Sequence, residues 1–254
     1  MIVKDLSGNV LRTFCNKLPE RKTSNNSIQD EPVLSVKKGL NRFVWDLRRM
    51  NMPTIDNVYI EGSYEGGKIA PGNYTITLKI DDVEQTVPFV LNADPRNKST
   101  ASEYAKQDEL LKSIETDVAD IHVAVVRMRN LSKQVQSLMD LIDGDKSKEE
   151  LVKQGKSILE KVTKWEEQLI QSKSQSYDDV INFVNKLSAN YIFVHGEAGG
   201  NIPYVTAGHQ LRFNELHEEW MLYKNQMDQL LKTEVSTFNE LCKTLKVEHV
   251  MLPE

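Results

Sequence analysis

Apolar and polar residues alternate with a period of two along the first 96 residues. In the stretch NYTITLKI (73–80), an extended chain would place the apolar side chains on one face and the polar ones on the other. Turn clusters such as SGN, KKG, EGG and APG separate this stretch from other alternating segments. The other candidate strands are 10–14, 32–36, 39–48 and 83–91. The pattern predicts a β-sandwich over residues 1–96.

Two features concern the edges and loops of the predicted sandwich. Pro88 lies within the last candidate strand and has no backbone N–H to donate, so we expect this strand at a sheet edge or at a bulge. Residues 20–31 are polar and lack any period, which is typical of a long loop.

From about residue 97 the pattern changes to the period of an amphipathic α-helix. Thr100 and Glu103 form a capping-box pattern before a long helix, whose apolar residues recur three and four apart as far as Ile142. Ser147 and Glu150 repeat the capping pattern ahead of a second long helix. Two long helices are therefore predicted before residue 172.

The remainder of the chain continues the helical pattern. Gly155 lies in the second helix, where another helix could approach closely, and a shorter helical segment precedes a predicted loop at 194–203. The last helix spans about 205–245, and its apolar positions shift register between Leu230 and Leu231. Because short links favour antiparallel neighbours, residues 97–254 are predicted to form an up-down bundle of three long helices plus a short one.

Composition and charge narrow the functional classes. The chain has 254 residues and a net charge of −5, so no general basic field favours a nucleic-acid partner. No apolar run approaches the roughly 20 residues of a transmembrane helix, and the N-terminus lacks the pattern of a secretory signal peptide. Cys15 and Cys242 lie at opposite ends of the chain; two thiols are favoured over a disulfide, although a disulfide stays open.

The histidines and glycines form no recognised metal or phosphate motif. His195 and Glu197 lie in the glycine-containing loop, and His209 and His217 are eight residues apart in the last helix. Neither HExxH nor CxxC spacing occurs, HGEAGG is not a phosphate-binding pattern, and no nucleophile signature is present. We therefore expect no metal, no cofactor, and solvated or singly hydrogen-bonded histidines.

Aromatic side chains offer the best case for ligand binding, because a ring face can stack on a sugar. Tyr59 and Tyr64 lie in the loop-like NVYIEGSYEGG and are the candidate ligand-binding residues, although packing of Tyr59 on the sandwich is the simpler alternative. Trp45 is expected in the core. On the opposite face of its strand, Asp46 and Arg48 are expected to form a local ion pair.

Three motifs in order give the first 96 residues a resemblance to a known family. IVKDLSGNVLRTF, KKGLNRFVWDLRRMNMP and IAPGNYTITLKIDDVEQTVPFVLNADPR resemble the C-terminal region of bacterial sortilin-like, Asp-box β-propeller proteins, which are often described as glycosyl hydrolases or exo-sialidases. The resemblance implies an immunoglobulin-like sandwich at 1–96 that leads into a helical bundle at 97–254. It is weaker over 97–254, where NKLSANYIFVHGEAGGNIPYVTAGHQLR carries it.

The residues that carry the resemblance have structural explanations. Gly39 permits a positive φ at a turn, Pro71 and Gly72 fit a tight turn, and the DPR sequence fits a rigid exit into the helices. The structural motif residues are Gly39, Asn41, Trp45, Asp46, Arg48, Pro71, Gly72, Tyr74, Asp94, Pro95 and Arg96.

The sequence contains no Asp-box, so the resemblance implies a fragment or product that lacks the propeller. Any catalytic residues of the family would be expected in that missing part. The expected function is a non-catalytic accessory or scaffold region of a larger extracytoplasmic protein, periplasmic or secreted, with the missing propeller as its partner.

Two alternatives stay open. A carbohydrate-binding module with a glycan ligand would be favoured if three aromatic rings proved exposed and coplanar, namely Tyr59, Tyr64 and Trp220. A hydrolase with its site at the domain junction would require three side chains to converge in a cleft, namely His195, Glu197 and His209.

Overall fold

The computed structural model describes residues 1–17 and 32–247, so the loop predicted at 20–31 lies outside the described residues. The N-terminal part forms an antiparallel sheet in the order β2-β1-β3-β4. The strands are β1 Ile2–Asp5, β2 Val10–Thr13, β3 Gly72–Ile80 and β4 Val83–Leu91. The predicted immunoglobulin-like sandwich is wrong, because the described residues form this one small sheet and no second sheet facing it.

Residues 39–48, predicted as a strand, cover the sheet as an irregular extended segment instead. Leu47 has a φ of 64°, a left-handed conformation that interrupts strand pairing. The Trp45 indole N–H donates to the Arg48 carbonyl at 2.9 Å, and the Arg48 backbone N–H donates to the Asp46 carboxylate at 3.1 Å. With these local side-chain bonds, the end of the segment makes an isolated antiparallel bridge, Arg48 to Lys68, rather than a continuous ladder. Residues 32–36 are also outside the strands.

The predicted inward face of this segment is nevertheless correct. Phe43, Trp45 and Leu47 pack on the core of the sheet, beside the buried Phe14 and Val3. The Phe14 ring lies edge-on to Phe43 at 4.7 Å and to Trp45 at 6.1 Å between centroids, a favourable aromatic arrangement. The second layer of the small core is therefore a loop rather than a sheet.

Pro88 lies on an edge strand, which confirms the prediction. β4 pairs with β3 alone, and Pro88 is the register partner of Thr75. Proline cannot extend the ladder toward a further strand at this position, so it limits unwanted pairing along an exposed edge.

Within the described part of the chain, five α-helices follow the sheet. They are α1 Ala101–Leu141, α2 Glu149–Leu169, α3 Leu187–Ala198, α4 Ala207–Leu230 and α5 Ser236–Thr244. The capping box at Thr100 and Glu103 is confirmed by reciprocal side-chain bonds. The cap predicted at Ser147 is wrong, because the Asp145 side chain accepts from Ser147 and α2 starts without a side-chain cap. The predicted loop at 194–203 is also partly wrong, since α3 continues to Ala198.

The register shift in the last helix has a structural cause. A π-helical turn, Leu231–Val235, connects α4 directly to α5. Such a turn accommodates one extra residue, so the apolar residues on both sides of it face the same core. Leu230 and Leu231 are both buried, and Val235 and Phe238 are fully buried.

Hydrophobic packing joins the N-terminal part to the helices. Met52, Ile55, Val58, Ile60 and Tyr64 belong to the large core that the helices form. This part of the connection between β2 and β3 therefore packs on the bundle as part of its core. Within residues 1–17 and 32–247, no helix has both the length and the apolar character needed to cross a bilayer.

Candidate functional site

Four ionisable side chains meet where the sheet adjoins the helices, and we call Arg49, Asp108, Glu115 and His195 the junction cluster. Arg49 Nε and Nη2 donate to the two oxygens of the Glu115 carboxylate at 2.8 and 2.9 Å. Arg49 Nη1 donates to Asp108, and His195 Nε2 lies 3.0 Å from Glu115 Oε1. The bidentate Arg49–Glu115 pair thus belongs to a network that connects Arg49, just after the irregular segment 39–48, to α1 and α3.

Helical spacing and two glycines position the junction cluster. Asp108 and Glu115 are two turns apart on α1 and therefore share one face. A Cβ atom on Gly66 would lie 2.4 Å from a backbone carbonyl oxygen, and one on Gly67 would lie 2.7 Å from Arg49 Nη2. The Gly67 N–H also donates to Glu115 at 2.6 Å. Gly66 and Gly67 of the EGG sequence, predicted as a turn, are needed here because only glycine lets this segment approach Arg49 and Met50 so closely.

The ion pairs change the acidity of the junction cluster. Burial alone would raise the pKa of Glu115, but hydrogen bonds from His195 and Arg49 and the charge of Arg49 lower it to about 2. Burial would lower the pKa of Arg49, and the two carboxylates outweigh it and raise that pKa. Both groups are therefore held in their charged forms at neutral pH.

Arg12 connects β2 to the same place. Its Nη1 donates to the backbone carbonyl of Arg49 at 2.5 Å and to Asn51 Oδ1 at 3.0 Å. Arg12 is itself buried and lies over the Phe14 ring, with its guanidinium carbon 5.5 Å from the ring centroid. The junction cluster is thereby linked to the core of the sheet.

An open cleft lies beside the junction cluster, between residues 61–67 and the last turns of α3. Its volume is about 340 Å³. We call it the junction cleft; its lining includes Arg48, Glu61, Glu65, Asn185, Phe193 and Glu197. His195 also borders the cleft but is only 6% exposed, whereas Phe193 is 63% exposed.

A second buried polar group surrounds His122 on α1. Its Nδ1 lies 2.5 Å from the Pro53 carbonyl oxygen and its Nε2 lies 2.6 Å from the Ser188 hydroxyl. The carbonyl can only accept, so Nδ1 carries the proton and Nε2 accepts from Ser188. Burial lowers the pKa of His122 to about 4, which keeps the ring neutral. This histidine fixes the segment 52–64 to α1 and α3.

A third group joins α1, α3 and α4. The buried Asp117 accepts from the Tyr191 hydroxyl at 2.8 Å, and His217 Nδ1 lies 2.7 Å from the same carboxylate oxygen. Burial and the charge of Asp117 raise the pKa of Tyr191. The His217 side chain is about half exposed, so this pair lies at the surface of the bundle.

The predicted ligand-binding tyrosines do not form an exposed platform. Tyr64 is 1% exposed, and its ring packs edge-on to His122 at 5.4 Å. Its hydroxyl has no hydrogen-bond partner among the described residues, and burial raises its pKa. Tyr59 is half-buried, and Trp220 is 1% exposed, with its N–H donating to Asp120 at 3.1 Å. The condition set for the carbohydrate-binding alternative is therefore not met at these rings.

The motif residues around Trp45 have structural roles. Gly39 has a φ of 96°, as expected. The Asn41 amide closes the same turn through the carbonyls of Lys37 and Gly39, at 2.9 and 3.0 Å. The expected ion pair is present, with Arg48 Nε 3.6 Å from Asp46 and 3.3 Å from Glu65.

The later motif residues shape a turn and an exit. Pro71 precedes β3 and Gly72 is its first residue. The Tyr74 hydroxyl donates to the Ala70 carbonyl at 2.5 Å. The exit Asp94-Pro95-Arg96 is closed by an ion pair of 2.7 Å between Arg96 and Asp94. Hydrogen bonds from Arg96 lower the pKa of Asp94 to about 2.

The three residues of the hydrolase alternative do not converge. His195 and Glu197 line the junction cleft, whereas His209 is not among its lining residues. His209 instead caps α4, since Thr206 N donates to His209 Nδ1 at 3.3 Å. His195 is buried and hydrogen-bonded to Glu115, so it is the singly hydrogen-bonded histidine of the two expected kinds rather than a solvated one.

Metal ligands and cysteines give no further site. Across the described residues, no three His, Cys, Asp or Glu side chains are grouped so as to hold a metal ion. Both cysteines are free thiols, Cys15 exposed and Cys242 buried.

Sequence reasoning missed the junction cluster. Arg49 directly follows the segment 39–48, which was wrongly predicted as a strand, and Asp108 and Glu115 belong to no recognised motif in the sequence. The available signal was their spacing of seven residues, which keeps two acids beside the apolar seam of α1. No local sequence pattern indicates that Arg49 is the partner of Asp108 and Glu115.

Comparisons with known proteins close the description of the site. No protein-family model matches the chain, and neither the search of curated proteins nor that of solved structures returned a significant match.

Proposed function

We propose that this chain is a non-catalytic accessory region of a larger extracytoplasmic protein, where it braces or extends a β-propeller. The three ordered motifs of the first 96 residues are the basis for the propeller as partner and for the location outside the cytoplasm. The motif residues serve turns, packing and local ion pairs, which is the behaviour of a structural module.

The single observation that carries the proposal is the way the sheet is fixed to the helices. Arg49 is 6% exposed and has salt bridges to two acids of α1, and the core of the bundle includes residues from Met52 to Tyr64. A short link alone would permit free motion, whereas this packing holds both parts in one orientation. A rigid body of this kind suits a brace.

The arrangement of ionisable groups also favours a structural role. Glu115 accepts four hydrogen bonds from its neighbours, and Asp108 pairs with Arg49 and Lys112. The lowered pKa of Glu115 makes this carboxylate a poor general acid. The charged residues of the junction cluster therefore serve to hold the sheet against the helices.

Native immunoprecipitation from the source cells tests the proposal. Antibodies against this chain are used on an extracytoplasmic fraction, and tryptic peptides are identified by mass spectrometry. We expect peptides with the Asp-box pattern S-x-D-x-G-x-T-W, covalently continuous with the chain or retained at 0.5 M salt. Recovery of the chain without any such peptide, together with turnover of aryl glycosides by the purified chain, would contradict it.

A further inference from the structure

The junction cleft contains an exposed aromatic ring and two carboxylates that have no partners among the described residues. Phe193 and Glu197 are one helical turn apart on α3 and share a face. Phe193 is 63% exposed, an unusual degree for a large aromatic side chain at the wall of a cleft. Glu61 faces them from the opposite wall.

Gly62 forms the narrow side of this cleft. Its φ is +137°, and a Cβ atom there would lie 2.7 Å from Ile192 Cγ2. Glycine therefore allows residues 61–63 to lie directly against α3, so that Glu61 and Phe193 border one space. A side chain at position 62 would be strained at this φ and would clash with Ile192, so glycine suits this side of the cleft.

The charges of the lining select the kind of ligand. Three glutamates line the cleft, and its basic lining residues are already engaged, Arg48 with Glu65 at 3.3 Å and His195 with Glu115. Glu61 and Glu197 make no ion pair or hydrogen bond among the described residues. A concave surface with this excess of negative charge attracts cations and repels anions. An exposed ring face adds attraction for an ammonium or guanidinium group.

We propose that the junction cleft receives a cationic side chain, arginine or lysine, from the protein that this chain braces. The cation lies over the Phe193 ring and pairs with Glu61 and Glu197. This inference rests on the proposed accessory role and supplies its contact chemistry. The flanking junction cluster keeps both walls in place, because Glu115 holds His195 of α3 and Gly67 of the opposite wall.

Titration of the isotope-labelled chain with short peptides tests this site. The probes are acetyl-Gly-Arg-Gly-amide, its lysine analogue, and the isosteric neutral peptide with citrulline in place of arginine. We expect saturable amide shifts confined to residues 61–67 and 193–199, with a Kd below about 1 mM for the cationic peptides. The citrulline peptide should bind at least about tenfold more weakly, and added salt should weaken the arginine peptide.

Variants assign the contact. E61Q/E197Q and F193A should each weaken arginine-peptide binding about tenfold or more while circular dichroism stays unchanged. E167Q removes one carboxylate charge from an exposed position on α2 that does not line the cleft, and it should bind like the parent. Equal binding of the arginine and citrulline peptides, or no shift in the cleft, would overturn the proposal.

Two further measurements distinguish a free amine from a protein side chain as the ligand, and test this site independently of the proposed function. Spermidine binding more than tenfold tighter than either cationic peptide would identify a free amine as the ligand and overturn docking of a side chain. Absence of peptide binding alongside recovery of Asp-box peptides from cells would reject this site but keep the accessory role. Peptide binding without those peptides would keep the site and reject the propeller as partner.

Discussion

At the scale of single residues, the fold depends on polar side chains that are buried and fully engaged. Arg49 has two acidic partners, and Glu115 accepts hydrogen bonds from three residues, Arg49, Gly67 and His195. Neither can therefore be replaced by a neutral residue without leaving a charge unpaired. Truncating one member of a buried pair costs more than the pair itself contributes, because the remaining charge stays desolvated. These residues are therefore where point mutations should have their largest effects.

Replacement of Arg49 by methionine should destabilise the protein by about 3–5 kcal/mol, since Glu115 and Asp108 would lose their buried partner. Urea unfolding followed by circular dichroism measures this change. R96A is the matched control, because the Arg96 side chain is 89% exposed and its ion pair is with neighbouring Asp94. It should show no measurable change. An R49M protein as stable as the parent would contradict the role of the junction cluster.

Stability should fall in acid through Glu115. Its pKa is about 2 in the folded state against an ordinary value of 4.5, so the unfolded chain binds the proton more readily between these values. The stabilisation is complete above pH 4.5 and is lost as the pH falls toward 2. E115Q should lose stability at pH 7 and show a flatter dependence below pH 4.5. A parallel dependence in both proteins would count against the ion pair.

His122 should make stability depend on pH in a higher range. The ring is buried in its neutral form with a pKa of about 4, against 6.5 when unfolded, so the unfolded state binds the proton first. The contribution is complete above pH 6.5 and is lost as the pH falls to about 4, on the order of 3 kcal/mol. H122Q should flatten the unfolding free energy between pH 6.5 and 4.5, and an unchanged slope would contradict this account.

At the scale of elements, pattern and propensity predicted most of the regular structure. β2, β3, β4 and the long helices follow directly from periods of two and of three to four residues. The strand at 39–48 was wrong because the alternation reports which side chains point inward, and it does not report backbone pairing. A continuous strand is absent there because Leu47 has a left-handed conformation and because Trp45 and Asp46 form local side-chain hydrogen bonds.

The π-helical turn gives a prediction about deletions. Removing the exposed Lys232 from Leu231–Val235 should convert the turn to α-helix and leave Val235, Phe238 and Cys242 facing the core, so stability should change by less than about 1 kcal/mol. Removing the exposed Thr237 instead should rotate Phe238 and Cys242 by about 100° and cost several kcal/mol, roughly that of exposing two core side chains.

Urea unfolding of the two deletion variants distinguishes these cases. The account predicts a nearly parental midpoint for the Lys232 deletion and a strongly lowered one for the Thr237 deletion. Equal losses in both variants would show that the π turn does not absorb the extra residue.

At the scale of the whole molecule, the sheet and the helices share structure across the boundary predicted near residue 96. Sequence pattern could not reveal this, because the segment 52–64 has no regular period and its partners lie on α1 and α3, far along the chain. The junction cluster was hidden for the same reason. Long-range partners of isolated charges are set by tertiary packing, which no local pattern encodes.

The central claim is that the sheet and the helices form one cooperative body through the junction cluster. Native-state hydrogen exchange read by mass spectrometry tests it most directly, with β3 and α1 followed in the same molecule at rising urea. We predict that the most protected amides of Gly72–Ile80 and Ala101–Leu141 exchange with the same opening free energy, and that R49M lowers both together. Exchange of β3 at a much lower free energy than α1, unaffected by R49M, would contradict the claim.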